Sequence, residues 1–133
     1  MRVGGEVDGG AQAPGGDEFH NDCPGRALYR HVAGRWAGLI ALELWPKPLR
    51  FHRLRDALPG ISEKVLAQNL RELVRDGLVD RTVEPTRPPQ VTYSLTPLGE
   101  QLATRIHGLM TWAGTHSPEV LAARHRHDNQ QAS

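Results

Sequence analysis

Four polar side chains recur every three or four residues along one stretch of this chain. They are Lys64, Gln68, Arg71 and Arg75. In a helix they would share an arc of about 60°, because each residue adds about 100° of rotation. Arg and Lys donate hydrogen bonds to N7 and O6 of guanine, and Gln forms two hydrogen bonds with adenine. The arc therefore fits contact with DNA bases, while a merely solvated helix face is the alternative, which the nearby Glu63 and Glu72 favour.

The helix that carries these side chains has recognisable boundaries. Ser62 is predicted as its N-cap, and Gly77 follows its predicted end at Asp76. We expect Ser62 and the unpaired backbone N–H groups of the first turn to hold a phosphate. Opposite the polar arc lies an apolar arc that we expect to pack on the domain, formed by Leu66, Leu70, Leu73 and Val74.

A β-hairpin is predicted directly after this helix. Residues 78–83 and 91–95 are two short runs of β-type residues, joined by a loop at residues 84–90. Three prolines stiffen the loop, which limits the entropy that it loses on docking. Its polar side chains are candidates for contact with the minor groove or with phosphates: Thr86, Arg87 and Gln90. A proline-rich turn with a solvated arginine is the alternative.

Helices are predicted on both sides of this unit. Before it, a helix begins at Asp22-Cys23-Pro24, an apolar segment spans residues 36–45, and a short helix spans residues 50–58. On the short helix, Arg50 and Arg53 are candidate phosphate contacts. After the hairpin, Thr96-Pro97 opens a further helix, which is predicted to end near residue 112.

The order of the elements defines a fold class. Pro59-Gly60 makes a tight turn between the short helix and the longer one. Short helix, turn, longer helix and hairpin is the order of a winged helix-turn-helix. The prediction is a mainly α fold with a small β-hairpin (α+β), carrying an additional C-terminal dimerisation helix. We expect an acidic, glycine-rich leader at residues 1–22 and a His- and Arg-rich tail at residues 115–133 to be disordered, and residues 23–114 to form the domain.

Net charge misleads here when it is summed over the whole chain. Sixteen Lys and Arg stand against fifteen Asp and Glu, and this formal charge of +1 argues against nucleic acid. Along the chain, however, residues 1–25 carry one cation and five acids, residues 26–96 carry twelve and seven, and residues 97–133 carry three of each. The part that can fold is therefore basic, and basic surfaces attract polyanions. Ordinary solubility charge is the alternative.

Length and composition narrow the class of protein further. A chain of 133 residues suffices for one domain with a sizeable core. No apolar stretch approaches the roughly 18–20 residues of a membrane span, and the N-terminal segment lacks the apolar core of a signal peptide. The single cysteine excludes an intrachain disulfide and suits a reducing compartment, so we expect a cytoplasmic protein.

A series of blocks in a defined order resembles a known family. The blocks are Cys23-Pro24, Gly34-Arg35-Trp36, residues 49–54, 58–66, 70–73 and 76–79, Pro88-Pro89, and residues 91–99. Together they resemble the HxlR family of bacterial transcriptional regulators, relatives of the MarR type, over residues 23–112. The resemblance implies a homodimeric winged-helix protein that binds double-stranded DNA as a repressor or an activator, with residues 62–76 as the recognition helix and residues 84–90 as the wing.

This sequence departs from the family pattern at four positions. The family usually has Tyr where Glu84 stands, a basic residue at Gln90, and Glu at both Thr92 and Arg53. The wing thus lacks a cation at position 90 and has one at Arg87. The departures leave the predicted fold unchanged, but individual wing contacts do not transfer directly from the family.

An apolar stripe on the last helix is the candidate dimer interface. It consists of Leu98, Leu102, Ile106, Leu109 and Trp112, with Leu28 as a further candidate. Such a stripe is often core, but a small domain has limited core with which to cover a helix that follows the wing. A partner subunit is therefore the preferred cover, and a two-fold dimer binds inverted repeats with half-sites about 34 Å apart.

A thiol signal or a small-molecule effector is the candidate regulator of binding. Cys23 is a candidate redox sensor, since some family members sense oxidants or electrophiles through an N-terminal thiol. A helix start favours a thiolate, although the acids before it oppose this, and an inert cysteine is the alternative. The tail histidines suggest solvated side chains rather than a metal site, and no cofactor signature or catalytic arrangement is recognisable. The remaining alternatives are a winged-helix module that binds protein without DNA, and a thiol enzyme that uses Cys23.

Overall fold

The computed structural model describes residues 24–132 and contains, within them, five helices and three strands. In chain order these are α1 (Pro24–Val32), α2 (Ala37–Leu44), β1 (Leu49–Arg50), α3 (Phe51–Ala57), α4 (Glu63–Arg75), β2 (Val79–Glu84), β3 (Gln90–Leu95) and α5 (Pro97–Ala132). The order and the small sheet confirm the predicted winged helix-turn-helix with an additional C-terminal helix. The leader and Cys23 lie outside the described residues.

Three helices and the start of the sheet build the core. The apolar arc of α4 points inward as predicted, and its three leucines are buried together with side chains from α2, α3 and β2. The fully buried large side chains are Ile40, Leu44, Leu54, Leu66, Leu70, Leu73 and Val79. Val74 is half-buried against the same cluster. The core therefore lies directly behind α4 and fixes the side of this helix that faces solvent.

The predicted boundaries of α4 are confirmed by their hydrogen bonds and backbone angles. Ser62 has an extended backbone, and its Oγ accepts a hydrogen bond of 3.1 Å from the N–H of Val65. Gly77 ends the helix with a φ of +74°, and Gly60 makes the preceding turn with a φ of +90°. Both angles lie in the left-handed region that glycine adopts without steric cost.

The sheet has a third strand that the sequence did not predict. Its order is β1-β3-β2, all antiparallel, with Leu49 opposite Tyr93 and Arg50 opposite Thr92. The prediction that a helix begins at Arg50 is therefore wrong, because this residue is extended, with a φ of −84° and a ψ of 162°, and α3 begins at Phe51. Two residues are too few to show a period of two, so pairing with β3 specifies β1.

The start of α5 is locked against the end of α4. Thr96 caps the helix, since its Oγ1 accepts from the N–H of Gly99 at 3.0 Å and donates to the carbonyl of Gly77 at 2.6 Å. A Cβ atom at Gly99 would lie 2.0 Å from the carbonyl oxygen of Leu78. Only glycine allows this close approach between α5 and the chain that leads into β2.

The predicted end of α5 near Trp112, and the predicted disorder beyond it, are wrong: the helix continues to Ala132. Pro118 lies inside it and cannot donate to the carbonyl of Gly114, but Ser117 Oγ donates to that same carbonyl at 3.3 Å. His116 Nδ1 and Glu119 Oε1, one turn apart, lie 2.8 Å from each other, within hydrogen-bond distance. Local side-chain bonds thus compensate for the proline. No helix in residues 24–132 is long and apolar enough to cross a membrane.

Candidate nucleic-acid interface

The outer face of α4 presents its predicted polar arc to solvent. All four side chains are exposed, and none of them forms a hydrogen bond or an ion pair with any residue in 24–132: Lys64, Gln68, Arg71 and Arg75. Their donors are therefore available to a ligand. Because three of the four are cationic and the buried leucines lie on the opposite side, the face suits a polyanion with hydrogen-bond acceptors along its edge.

The acids close to this face are engaged with neighbouring helices. At the start of α4, Glu63 Oε2 accepts from Arg55 Nη1 of α3 at 2.6 Å. At its end, Glu72 Oε1 and Asp76 Oδ2 lie 3.0 Å and 3.1 Å from the two ring nitrogens of His31 in α1. Surface pairs of this kind add little stability. They do direct the carboxylates toward α3 and α1, which leaves the polar arc with a cationic character.

The sequence did not predict these ionic partners. His31 is separated from Asp76 by 45 residues, so no periodicity joins them. Arg55 is only eight residues from Glu63, and the two opposite charges flank the Pro59-Gly60 turn, so this pair could have been inferred from the sequence. Two of the three contacts therefore required the fold.

Ser62 occupies the N-cap, so its role as a phosphate ligand is restricted. Its oxygen already accepts from Val65, while its O–H remains able to donate outward. On α3, Arg53 is exposed and has no hydrogen bond or ion pair with another described residue. Arg53 lies beside a cavity that Glu43, Lys47 and Arg50 also line. Ser62 and Arg53 both stay predictions as phosphate contacts.

Two predicted DNA contacts touch each other instead of standing apart. A guanidinium N–H of Arg50 donates to Oε1 of Gln90, which joins β1 to the base of the wing. Arg50 is paired with Thr92 in the sheet, so Arg50 and Gln90 lie on the same face of it, two residues out of register. The Gln90 amide N–H groups and the remaining Arg50 donors are the part of this pair that stays available to a phosphate.

The wing loop projects its remaining candidates into solvent. Thr86 Oγ1 donates to the carbonyl of Pro88 at 2.8 Å, which closes the tip of the loop. Arg87 is exposed and makes no hydrogen bond or ion pair within the described part of the chain. The wing therefore carries one unengaged cation at its tip and one engaged polar pair at its base.

The predicted dimer residues divide into two groups. Leu102 and Ile106 are half-buried within the single chain, Leu102 against the core and Ile106 beside Gly38 of α2. The other four expose about half of their area or more: Leu28 (46%), Leu98 (53%), Leu109 (60%) and Trp112 (57%). A groove of about 460 Å³ runs between α1, α2 and α5, and its apolar lining includes Val32, Leu39 and Met110.

No metal site accompanies these features. Among residues 24–132, no three His, Cys, Asp or Glu side chains are grouped so that they could hold a metal ion. The tail histidines lie on α5, where His116 is occupied by Glu119.

Comparison with known proteins decides the family. The model of the HxlR-like helix-turn-helix family matches residues 31–120, which include the whole of α2 to β3. The chain belongs to the HxlR-like helix-turn-helix family. It is thus a transcription regulator of a family that binds DNA through a winged helix-turn-helix, and the resemblance predicted from the sequence is confirmed.

Individual relatives of this HxlR-like protein agree in sequence and in fold. YtfH of Escherichia coli K12, an uncharacterised transcriptional regulator of the helix-turn-helix type, is 45% identical over 109 residues, 82% of this chain and 86% of its own. The structure of YtfH from Salmonella typhimurium superposes with a TM-score of 0.74 at 44% identity, over 80% of this chain and 96% of its own. The structure of the redox regulator HypR in its oxidised form superposes with a TM-score of 0.65 at 32% identity, over 70% of this chain and 96% of its own.

Proposed function

We propose that this HxlR-like protein binds specific sequences in double-stranded DNA as a homodimer and regulates transcription from an inverted-repeat operator. The observation that carries the proposal is the polar arc of α4, whose donors are exposed and unengaged on a helix that is anchored at both ends. A recognition helix needs both properties, because base contacts discriminate only when the side chains that make them are held in place.

Each candidate residue has a distinct role in this proposal. Lys64, Gln68 and Arg71 contact base edges in the major groove, while Arg75 lies at the end of the helix and contacts the backbone. Arg87 enters the minor groove. The positioning contacts to phosphates come from Ser62, Arg50, Arg53, Thr86 and Gln90.

A second copy of the chain is the proposed partner of α5. Leu28, Leu98, Leu109 and Trp112 carry large apolar surfaces that their own subunit leaves exposed. Pairing through α5 places two recognition helices on one side of the dimer, and a spacing of about 34 Å between them matches one turn of DNA. The protein acts where the chromosome lies, which in a bacterium is the cytoplasm, and needs no cofactor for binding.

Selection of binding sites from random DNA tests the proposal. We expect enrichment of an inverted repeat by the wild-type protein and none by the double variant Lys64→Glu/Arg71→Glu. Arg124→Glu/Arg126→Glu is the matched control, because it makes the same change in charge near the far end of α5. Absence of any enriched repeat with the wild-type protein would contradict the proposal. It would favour a winged-helix module that binds another protein.

A thiol signal is a second part of the proposal. Cys23 is the only cysteine in the chain and directly precedes α1, and the similar structure of HypR is that of a redox regulator. We propose that an external two-electron oxidant, such as a peroxide, joins the Cys23 thiol to that of a second subunit or to a small thiol. Two protons and two electrons pass to the oxidant as the disulfide forms, and the disulfide changes affinity for the operator. We expect oxidised and reduced protein to differ in operator affinity, and the Cys23→Ser variant to show no difference. Equal affinity of the two wild-type forms would contradict this part alone.

A further inference from the structure

A cleft separates α4 from the sheet, and none of the predicted contacts accounts for it. Its volume is about 430 Å³. It is lined by Ala67, Leu70, Arg71, Val74, Arg81 and Tyr93. Arg71 belongs to the polar arc of α4, but Arg81 and Tyr93 lie on β2 and β3 and are new candidates.

The register of the sheet directs these two side chains to the same face. Arg81 is directly opposite Tyr93 in the antiparallel pair β2–β3. Successive side chains of a strand alternate between faces, so Arg81 shares its face with Val79, two residues before it. Val79 is fully buried in the core behind α4. The face that carries Arg81 and Tyr93 is therefore the one that turns toward α4, and Arg81 lies where that face leaves the core and becomes exposed.

The charge of the cleft is unbalanced. Two guanidinium groups line it, and no carboxylate is among its lining residues. Neither Arg71 nor Arg81 forms a hydrogen bond or an ion pair with any residue in 24–132. Two cations that share a cleft repel each other. An anion bound between them attracts both, and this attraction outweighs their mutual repulsion. The Tyr93 hydroxyl adds a neutral donor, and Ala67, Leu70 and Val74 add an apolar wall.

The geometry of DNA supplies an anion of the required shape. A duplex has a major groove about 12 Å wide beside a minor groove about 6 Å wide, and one sugar–phosphate strand separates them. When α4 enters the major groove and the wing enters the neighbouring minor groove, the strand between the grooves must cross the space between helix and wing. That space is this cleft.

We propose that the cleft holds this strand, with Arg81 and Tyr93 as phosphate-binding residues and the apolar wall against the deoxyribose. The inference rests on the proposed function, because it assumes that α4 and the wing occupy adjacent grooves. It assigns Arg81 to the backbone, so its contribution is the same for every DNA sequence, whereas Gln68 discriminates between sequences.

The salt dependence of binding tests the role of Arg81. We expect Arg81→Gln to bind the selected operator about tenfold more weakly and to lower the slope of log affinity against log salt by about 0.9 for each subunit. The loss should be equal on operator and on unrelated DNA. Arg81→Lys should keep the slope, and Arg124→Gln, which removes a cation far from the cleft, should keep both slope and affinity. An unchanged slope in Arg81→Gln would overturn the inference.

A neutral backbone linkage locates the contact on the DNA. We expect methylphosphonate at the linkage between the two grooves to weaken wild-type binding and to have no further effect on Arg81→Gln. Tyr93→Phe should bind the unmodified operator about threefold more weakly than wild type, since it removes one neutral hydrogen bond to the phosphate at this linkage. Additive losses from Arg81→Gln and the methylphosphonate would contradict the contact.

The two proposals fail in different ways. If wild-type protein enriches no DNA site, the proposed function fails and the inference fails with it. If wild-type protein binds its site but no linkage between the grooves responds to methylphosphonate, only the inference fails. The second measurement uses wild-type protein, so it holds even if a variant at position 81 folds poorly.

Discussion

Helices α4 and α5 solve the problem of burying an apolar face in different ways. Among its 13 residues, α4 fully buries three leucines, and both of its ends are held by neighbouring helices. Of the 36 residues of α5, only Gly99 and Ala103 are buried, while Leu98, Leu109 and Trp112 stay exposed.

The difference separates two kinds of stability. The leucines on the apolar face of α4 are fully buried within the single chain, so its polar outer face remains available for the proposed binding. The packing of α5 against residues 24–132 is incomplete, and the proposed dimer would bury its exposed apolar side chains. Substitutions in α4 should therefore act at every protein concentration, whereas those on the exposed face of α5 should act through association.

The largest effect is expected from the buried face of α4. We expect Leu70→Ala to lower the free energy of unfolding by about 3 kcal/mol, because a fully buried side chain leaves a cavity. Urea denaturation at two protein concentrations measures this, and the loss should be the same at both. Val83→Ala removes methyl groups from an exposed side chain and serves as the control. If the loss of unfolding free energy in Leu70→Ala depends on protein concentration, α4 is not stabilised within one chain and does not differ from α5 in this respect.

Substitutions at the packed start of α5 should lower the free energy of unfolding, as those in the buried face of α4 do and as those in the exposed rest of α5 do not. We expect Gly99→Ala to cost about 2 kcal/mol, because its Cβ atom would collide with backbone. Gly108→Ala is the matched control in the same helix: nothing lies within 4 Å of its Cβ position. There the substitution should stabilise the protein by about 0.5–1 kcal/mol through helix propensity. Thermal unfolding of the two variants checks this, and equal effects would contradict the close approach at Gly99.

The exposed face of α5 should control association. We expect Leu109→Ser to raise the Kd of the dimer about tenfold, because it removes an apolar side chain from the proposed interface. Sedimentation equilibrium measures this Kd. Val83→Ser is the control, since it removes a comparably exposed apolar side chain from β2. If Leu109→Ser leaves association unchanged and Val83→Ser does not, the partner surface lies elsewhere.

The smallest effect is expected from the link between α1 and α4. We expect a double-mutant cycle of His31→Ala and Glu72→Ala to give a coupling energy of about 0.5 kcal/mol, since the side chain of His31 is half-buried and that of Glu72 is about half exposed. Urea denaturation of the four proteins supplies the cycle. A coupling near zero would mean that the contact orients the Glu72 carboxylate without stabilising the fold.

The sequence was sufficient where the determining contacts are local. Helix α4 was predicted with both boundaries, because Ser62, Gly77 and a period of 3.6 act within one element. Strand β1 was missed because its two residues depend on a partner more than 40 residues away. The distal half of α5 was missed because composition suggested disorder, while Ser117 and His116 provide compensating bonds that composition does not record.

The same reasoning applies to the candidate site. Exposure of the polar arc followed from the apolar arc opposite it, so those four residues were found without the structure. The cleft at Arg81 needed the register of two strands and the position of α4 beyond them. A period of two from Val79 onward places Arg81 on the inner face, but only the structure shows that the face opens there.

The bond between Arg50 and Gln90 has a mechanical consequence for any regulatory signal. It braces the base of the wing against the strand that runs straight into α3, and β3 lies between the two outer strands. This hydrogen bond and the pairing of β3 with both outer strands therefore oppose a change in the angle between the wing and the helix-turn-helix. In the proposed dimer, the quantity left to adjust is the distance between the two DNA-binding units. We therefore expect an effector to change the spacing between the two DNA-binding units and to leave the structure of each unit unchanged.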